Sequence, residues 1–135
     1  MLICSTNKLI MKYAYLLLLL LLFNSCYQVE RNCIDFKNGT FEYKYEVAGK
    51  TLTAKFIRQN DLEIDYHGTH IDSIAVHWIN DCEYVLNTIN PKTLSQKKAV
   101  HIKILTTTAN TYTFESKIIN DPQKRISRGT VTKIN

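Results

Sequence analysis

The segment DYHGTHID, residues 65 to 72, holds the densest group of side chains in this sequence that could do chemistry. His67 and His70 could give two imidazole nitrogens to a zinc ion, and Asp65 and Asp72 could add oxygen ligands. Zinc sites usually take about four such ligands in a tetrahedral arrangement. The spacing is common by chance, however, and the stretch is typical of a strand end followed by a turn. We therefore predict no metal and no other cofactor, with His67 and His70 as weak candidates for metal ligands.

A second cluster, WINDCEY at residues 78 to 84, brings Trp78, Asp81, Cys82 and Tyr84 close together. At the rim of a barrel, such polar and aromatic side chains could bind a ligand. A structural role accounts for them as well, because the two aromatic residues can pack across a hairpin whose turn includes Asp81. We favour the structural role and keep Trp78, Asp81 and Tyr84 as weak candidates for ligand binding.

Motifs of enzyme chemistry do not occur in the sequence. It has no GxSxG nucleophile elbow, no HExxH helix and no phosphate-binding glycine-rich loop, and it contains only four glycines. A cysteine nucleophile would need a free, activated thiolate, whereas lipid attachment and a disulfide account better for the cysteines of this chain. We predict that the protein is not an enzyme.

The amino-terminal segment predicts export. Nine consecutive apolar residues, 15 to 23, follow Lys8 and Lys12, and no acidic residue occurs before Glu30. A helix that spans a bilayer needs about 20 apolar residues, whereas a secretory signal peptide has a positive region and an apolar core of about 7–15. The segment is therefore predicted to be a signal peptide.

The end of this segment, FNSC at residues 23 to 26, resembles the lipobox of bacterial lipoproteins. In that motif the cysteine is acylated and becomes the first residue after cleavage. Cys26 and the serine before it match the motif, while Phe23 and Asn24 depart from its commonest residues. The resemblance implies that residues 1 to 25 are a lipoprotein signal peptide and that Cys26 anchors the chain to the outer membrane. YQVERN, which follows, has neither an initial aspartate nor an acidic run, so we expect the periplasmic face.

The remaining thiols are Cys33 and Cys82, because Cys4 would be removed with the signal peptide and Cys26 would carry lipid. The periplasm is oxidising, which favours a disulfide between the remaining pair. Closing a loop of this length could add roughly 4 kcal/mol to stability. The alternative is a buried free thiol at Cys82 and a flexible one at Cys33.

Alternation of apolar and polar residues dominates the chain after the anchor. FEYKYEV, residues 41 to 47, places aromatic and apolar side chains on one face and charged ones on the other, which predicts a half-buried strand. LEIDYHG, residues 62 to 68, alternates in the same way. Hairpin turns are predicted at residues 80–81 and 108–110, a short helical turn after Asn90, and a last strand in GTVTKIN.

These segments predict an all-β fold, an antiparallel meander of about eight short strands. Closure into a small barrel or a sandwich would remove exposed sheet edges. We expect one domain over residues 35–135, joined to the lipid by a tether over residues 26–34. Two of the 17 Lys and Arg residues precede Cys26, and the others are scattered among carboxylates. We therefore expect no nucleic-acid partner, and a monomer.

Four segments, CIDFKNGTFEY, WINDCEYVLNTINP, KILTTTANTYTFES and GTVTKIN, resemble a group of small secreted lipoproteins of flavobacteria and their relatives. The resemblance implies a lipocalin-like β meander and supplies no catalytic residue. We expect a lipid-anchored envelope protein that binds an apolar ligand or a partner protein. The alternatives are an inhibitor of an envelope-attacking hydrolase such as lysozyme and, less favoured, a minor hydrolase.

Overall fold

The computed structural model describes residues 10–17 and 30–135. Residues 10–17 are helical, with exposed side chains. Within these two ranges, no helix is both long enough and apolar enough to cross a membrane. The predicted cleavage and acylation site at Cys26 lies outside the described residues.

Residues 30–135 form a closed barrel of eight antiparallel strands in chain order. Each strand pairs with the next one, and β1 pairs with β8 through residues such as Tyr43 and Val131, which closes the sheet. This confirms the predicted all-β meander and shows a barrel. The strands are β1 (Gly39–Val47), β2 (Lys50–Gln59), β3 (Leu62–His67), β4 (His70–Asn80), β5 (Glu83–Thr88), β6 (Val100–Thr107), β7 (Thr111–Ile118) and β8 (Ile126–Lys133).

The predicted hairpin turns are confirmed, since β4 ends at Asn80 and β6 ends at Thr107. Two details differ from the prediction. Strand β8 begins at Ile126, before the GTVTKIN segment in which the last strand was predicted. Asn90 has a left-handed φ of 55° and caps no helix, and residues 94–97 form a turn.

One end of the barrel, here called the closed end, is plugged by a 3-10 turn over Ile34–Phe36. Phe36 is buried and its ring lies edge-on to Tyr112, 5.2 Å away between centroids. Cys33, also buried, forms a disulfide with Cys82 in the β4–β5 turn, with Cα atoms 5.2 Å apart. The predicted disulfide is therefore confirmed, and it holds the plug against the barrel.

The opposite end, here called the open end, is less tightly packed. Phe41 and Ile104 lie near the closed end of their strands and are fully buried. Tyr43 and Val100, farther along the same strands toward the open end, are only partly buried. The barrel interior is thus sealed at one end and reaches solvent at the other, where the β1–β2 and β3–β4 turns and the two long loops lie.

Strand β3 turns its apolar side chains outward and its polar side chains into the barrel. Glu63 points inward and is 3 % exposed, whereas Leu62 and Tyr66 point outward and are 40 % and 36 % exposed. The alternation predicted a strand at this position, and the structure adds that its polar face lines the interior. A carboxylate on the inner face of a barrel needs a partner there, and this partner is the centre of the candidate site.

Candidate ligand-binding site

The barrel encloses a cavity of about 190 Å³ between the plug and the open end. Its wall is mainly aliphatic and aromatic, with a polar stretch contributed by β2 and β3. The cavity volume of about 190 Å³ is somewhat larger than the roughly 150 Å³ of an apolar protein cavity that holds benzene. The lining residues are Tyr43, Phe56, Arg58, Glu63, Asp65, Tyr84, Leu86, Val100, Ile102, Tyr112, Phe114, Ser116 and Val131.

Arg58 is a buried cation in the cavity wall, only 1 % exposed. Its Nε donates to Glu63 Oε2 at 2.7 Å, its Nη1 to the Phe36 carbonyl at 3.1 Å, and its Nη2 to the Tyr84 hydroxyl at 2.9 Å. Burial alone would lower the pKa of Arg58, but Tyr84 and Glu63 raise it well above its ordinary value. The guanidinium therefore stays charged, and its hydrogen bonds hold it in one orientation.

Aromatic rings surround the same guanidinium. Its central carbon lies 4.5 Å from the centroid of the Tyr84 ring and 5.2 Å from that of Phe56. The Tyr84 hydroxyl is 3.3 Å from that of Tyr112, and burial raises the pKa of both phenols, so they remain neutral. Arg58 is thus stabilised by ring faces as well as by Glu63.

Asp65 lies two residues after Glu63 on the inner face of β3 and lines the cavity. Its side chain is 14 % exposed, and Oδ2 lies 3.6 Å from His67 Nε2. Oδ1 is buried with no hydrogen-bond partner among the described residues. Burial raises the pKa of Asp65 to about 8, and the charge of Glu63 and a hydrogen bond with it add to the rise. At neutral pH the carboxyl therefore holds a proton, and one of its oxygens has an unused hydrogen-bonding position.

Three rings form a group beside Asp65 toward the open end. The centroids of Tyr43 and Tyr45 are 5.9 Å apart, and the His67 ring lies 6.3 Å and 6.2 Å from them. Burial, followed by the charge of Asp65, raises the pKa of Tyr43 well above its ordinary value. These rings give the cavity an aromatic border on the side of its carboxyl group.

The loops at the open end are held by polar contacts. In the β7–β8 loop, Asp121 accepts hydrogen bonds from the backbone and the side chain of Arg125, at 3.1 Å and 3.0 Å. In the β5–β6 loop, Gln96 Nε2 donates to Asp72 Oδ2 at 3.2 Å. These contacts give the loops around the opening a defined shape.

The candidates from the sequence occupy different parts of the barrel. Tyr84 lines the cavity, whereas Trp78 packs behind it with ring centroids 4.6 Å apart, and Asp81 pairs with Lys37 at the closed end at 2.8 Å. The three residues thus stay close together, with Trp78 opposite Tyr84 across the β4–β5 hairpin and Lys37 in contact with both Trp78 and Asp81, but only Tyr84 lines the cavity.

The two histidine candidates lie opposite each other where β3 pairs with β4. His67 lies beside Asp65, and His70 is exposed at the open end. Across residues 10–17 and 30–135, no three His, Cys, Asp or Glu side chains are placed to share a metal ion.

Sequence reasoning missed Arg58 and Glu63, and it considered Asp65 only as a possible metal ligand. A signal for the first was present, because Ala54, Phe56 and Arg58 share one face of an alternating strand, which puts a charge on an apolar face. The carboxylates gave no such signal, since each face of β3 is chemically uniform and either could point inward.

Comparison of the chain with protein-family models, with curated proteins and with solved structures finds no match. The cavity itself combines apolar walls, a fixed cation whose Nε, Nη1 and Nη2 are all engaged, and a carboxyl with a spare oxygen. This arrangement suits a small ligand with an apolar body and a single polar group.

Proposed function

We propose that this protein is a lipid-anchored envelope protein that binds a small, mainly apolar ligand inside its barrel. The observation that supports this function most directly is the cavity of about 190 Å³, lined by aliphatic and aromatic side chains. Binding sites are typically concave and apolar, with a few polar groups that fix the orientation of the ligand. The volume suits a single ring or a short chain.

The proposed anchor would lie at the opposite end of the barrel from the opening of the cavity. Arg31 donates to the Ile104 carbonyl at 2.8 Å and the Asn32 backbone to Thr107 at 2.9 Å, so the chain enters the barrel at its closed end. An acylated Cys26 would tether that end to the membrane. The open end would then be free to take up ligand from the periplasm.

Binding is tested by filling the cavity. Ser116 lines it, while the next residue, Lys117, is exposed on the outer face of β7. We expect native mass spectrometry of protein purified from its own host to show a bound small molecule in the wild type and in Lys117→Leu. Ser116→Leu, which adds a larger side chain to the cavity, should lose it. A wild-type protein that carries no small molecule and binds no small aromatic probe would contradict the function.

Anchoring is tested separately, by labelling cells with a radioactive fatty acid. Cys26→Ser should leave uncleaved or unlabelled protein, while Cys33→Ser should still be labelled. Labelled, membrane-bound Cys26→Ser protein would exclude the proposed anchor.

A further inference from the structure

We propose that the ligand carries a protonated amine, held by Asp65 beside the rings of Tyr43 and Phe56. This inference rests on the proposed function and names the chemical class of the ligand. Asp65 is directly opposite Phe56 in the pairing of β3 with β2, and all three residues line the cavity. The amine would pair with the Asp65 carboxylate from the cavity side, and the apolar body would fill the rest of the cavity.

The charges in the cavity wall support a cationic group. Arg58 is already engaged by Glu63, with Nη2 only 2.6 Å from Oε2. Asp65 is a second carboxyl with no cation of its own in the described wall of the cavity, apart from the titratable His67 at 3.6 Å. If Asp65 ionises, the wall carries an uncompensated negative charge. An ammonium group in the cavity would neutralise this charge and donate to the Asp65 carboxylate.

The aromatic border supports the same class of ligand. The faces of aromatic rings attract cations when the charge lies within about 6 Å of the ring centroid. Tyr43 lies 6.1 Å from Phe56 between centroids, and both adjoin Asp65. A carboxylate flanked by ring faces recognises an alkylammonium more strongly than a neutral hydroxyl.

An anionic ligand is disfavoured by the same contacts. Each Arg58 donor nitrogen already donates a hydrogen bond, to Glu63, Phe36 or Tyr84, so most of the guanidinium's donors are taken before a carboxylate could bind. An anion in the cavity would also lie near Glu63. The polar side of the cavity wall therefore favours a cationic ligand over an anionic one.

Three probes of similar size test the proposal: benzylamine, benzyl alcohol and benzoate. With the full chain, purified in the form that cells produce, we expect calorimetry at pH 8 to show benzylamine binding about tenfold or more tighter than benzyl alcohol. Benzoate should bind weakest. Asp65→Asn should remove the preference for the amine and keep the binding of the alcohol. Glu42→Gln is the matched control, because it removes a carboxylate from the outer face of β1, away from the cavity wall, and should keep the preference.

Affinity for benzylamine should also depend on pH. Because Asp65 must release its proton to pair with the amine, binding should weaken roughly tenfold per unit below about pH 8. Binding of benzyl alcohol should change much less. The charged and titratable groups around Asp65 are Glu63 and His67 on its own strand, Arg58 on β2, Asp72 on β4 and Tyr43 on β1.

The outcomes separate the two proposals. Equal affinity for the amine and the alcohol, or a preference for the amine that survives in Asp65→Asn, would overturn the assignment of an amine ligand and leave the binding function intact. If none of the three probes binds the folded wild type, both proposals fail. A melting curve of each variant confirms that a lost signal is not lost structure.

Discussion

Strands β1 and β3 have the same kind of alternating sequence and face opposite ways. In β1, Phe41 and Tyr43 point into the barrel, and the charged Glu42 between them points out. In β3, Glu63 and Asp65 point in, and apolar Leu62 points out. Register decides this difference, because each strand must keep its neighbours paired around a closed sheet. An alternating pattern therefore identifies a strand, but the barrel determines which face is buried.

The inner faces of the two strands also differ in what they contact. The inner face of β1 packs into the core, where the Phe41 and Phe56 rings stack with centroids 4.9 Å apart. The inner face of β3 instead places two carboxyls against Arg58 and the cavity. Burial of charged groups is costly unless they are paired, so the inverted strand depends on Arg58 and marks the polar side of the candidate site.

The largest expected effect on stability comes from removing a buried side chain of β1, and the matched change in β3 removes an outward-facing one. Phe41→Ala removes a fully buried ring from β1 and should lower the free energy of unfolding by about 3–5 kcal/mol. Leu62→Ala removes an apolar side chain that β3 holds outside, and should cost less than about 1 kcal/mol. Urea unfolding measures both. Equal losses would mean that β3 packs through its apolar face.

A loss of similar size is expected where β2 supports the inner face of β3. Arg58→Met leaves Glu63 buried without its cation, which typically costs about 3–5 kcal/mol. The double variant Arg58→Met, Glu63→Leu removes both charges and should recover most of the stability. If the double variant is as unstable as the single one, pairing between Arg58 and Glu63 does not account for the stability of a strand whose polar face is buried.

Much of the fold could be predicted from local sequence. The turn at Asn80 and the alternation in β1 depend on residues adjacent in the chain, and both were predicted correctly. The pairing of Cys33 with Cys82 followed from the few cysteines left after the predicted anchor. These features need no knowledge of the neighbouring strands.

The site was not predictable in the same way. Glu63 and Asp65 become an interior pair only because Arg58, on another strand, lies opposite Glu63. Trp78 and Asp81, close in sequence to Tyr84, contact Lys37 at the closed end and do not line the cavity. A binding site made by register across strands is visible only when the barrel is closed.

A smaller effect is expected at the plug below the inverted strand. Reduction of the Cys33–Cys82 disulfide, which spans a separation of 49 residues, should lower stability by about 2–4 kcal/mol. The plug also presents the Phe36 carbonyl to Arg58, so loosening it should weaken the support of Glu63. A lower melting temperature after reduction, with no free thiol before it, would be the expected result. Titratable thiols in periplasmic protein would contradict the disulfide.

The smallest effect on stability at low pH is expected for Asp65→Asn. Under that condition this variant should be as stable as the wild type, and it changes mainly how stability varies with pH. Asp65 has a pKa of about 8 in the barrel and an ordinary value of 3.8, so the folded chain keeps a proton that the unfolded chain releases. This contribution to stability is complete below about pH 4 and is lost as the pH rises toward 8.

Urea midpoints at a series of pH values measure this dependence in the ligand-free protein. Asp65→Asn should match the wild type near pH 4 and become progressively more stable than it up to about pH 8, with a constant difference above that. Glu42→Gln, on the outer face of β1, should follow the wild type throughout. Parallel curves for Asp65→Asn and the wild type would mean that Asp65 is as well solvated as Glu42, and the contrast between the inner face of β3 and the outer face of β1 would disappear.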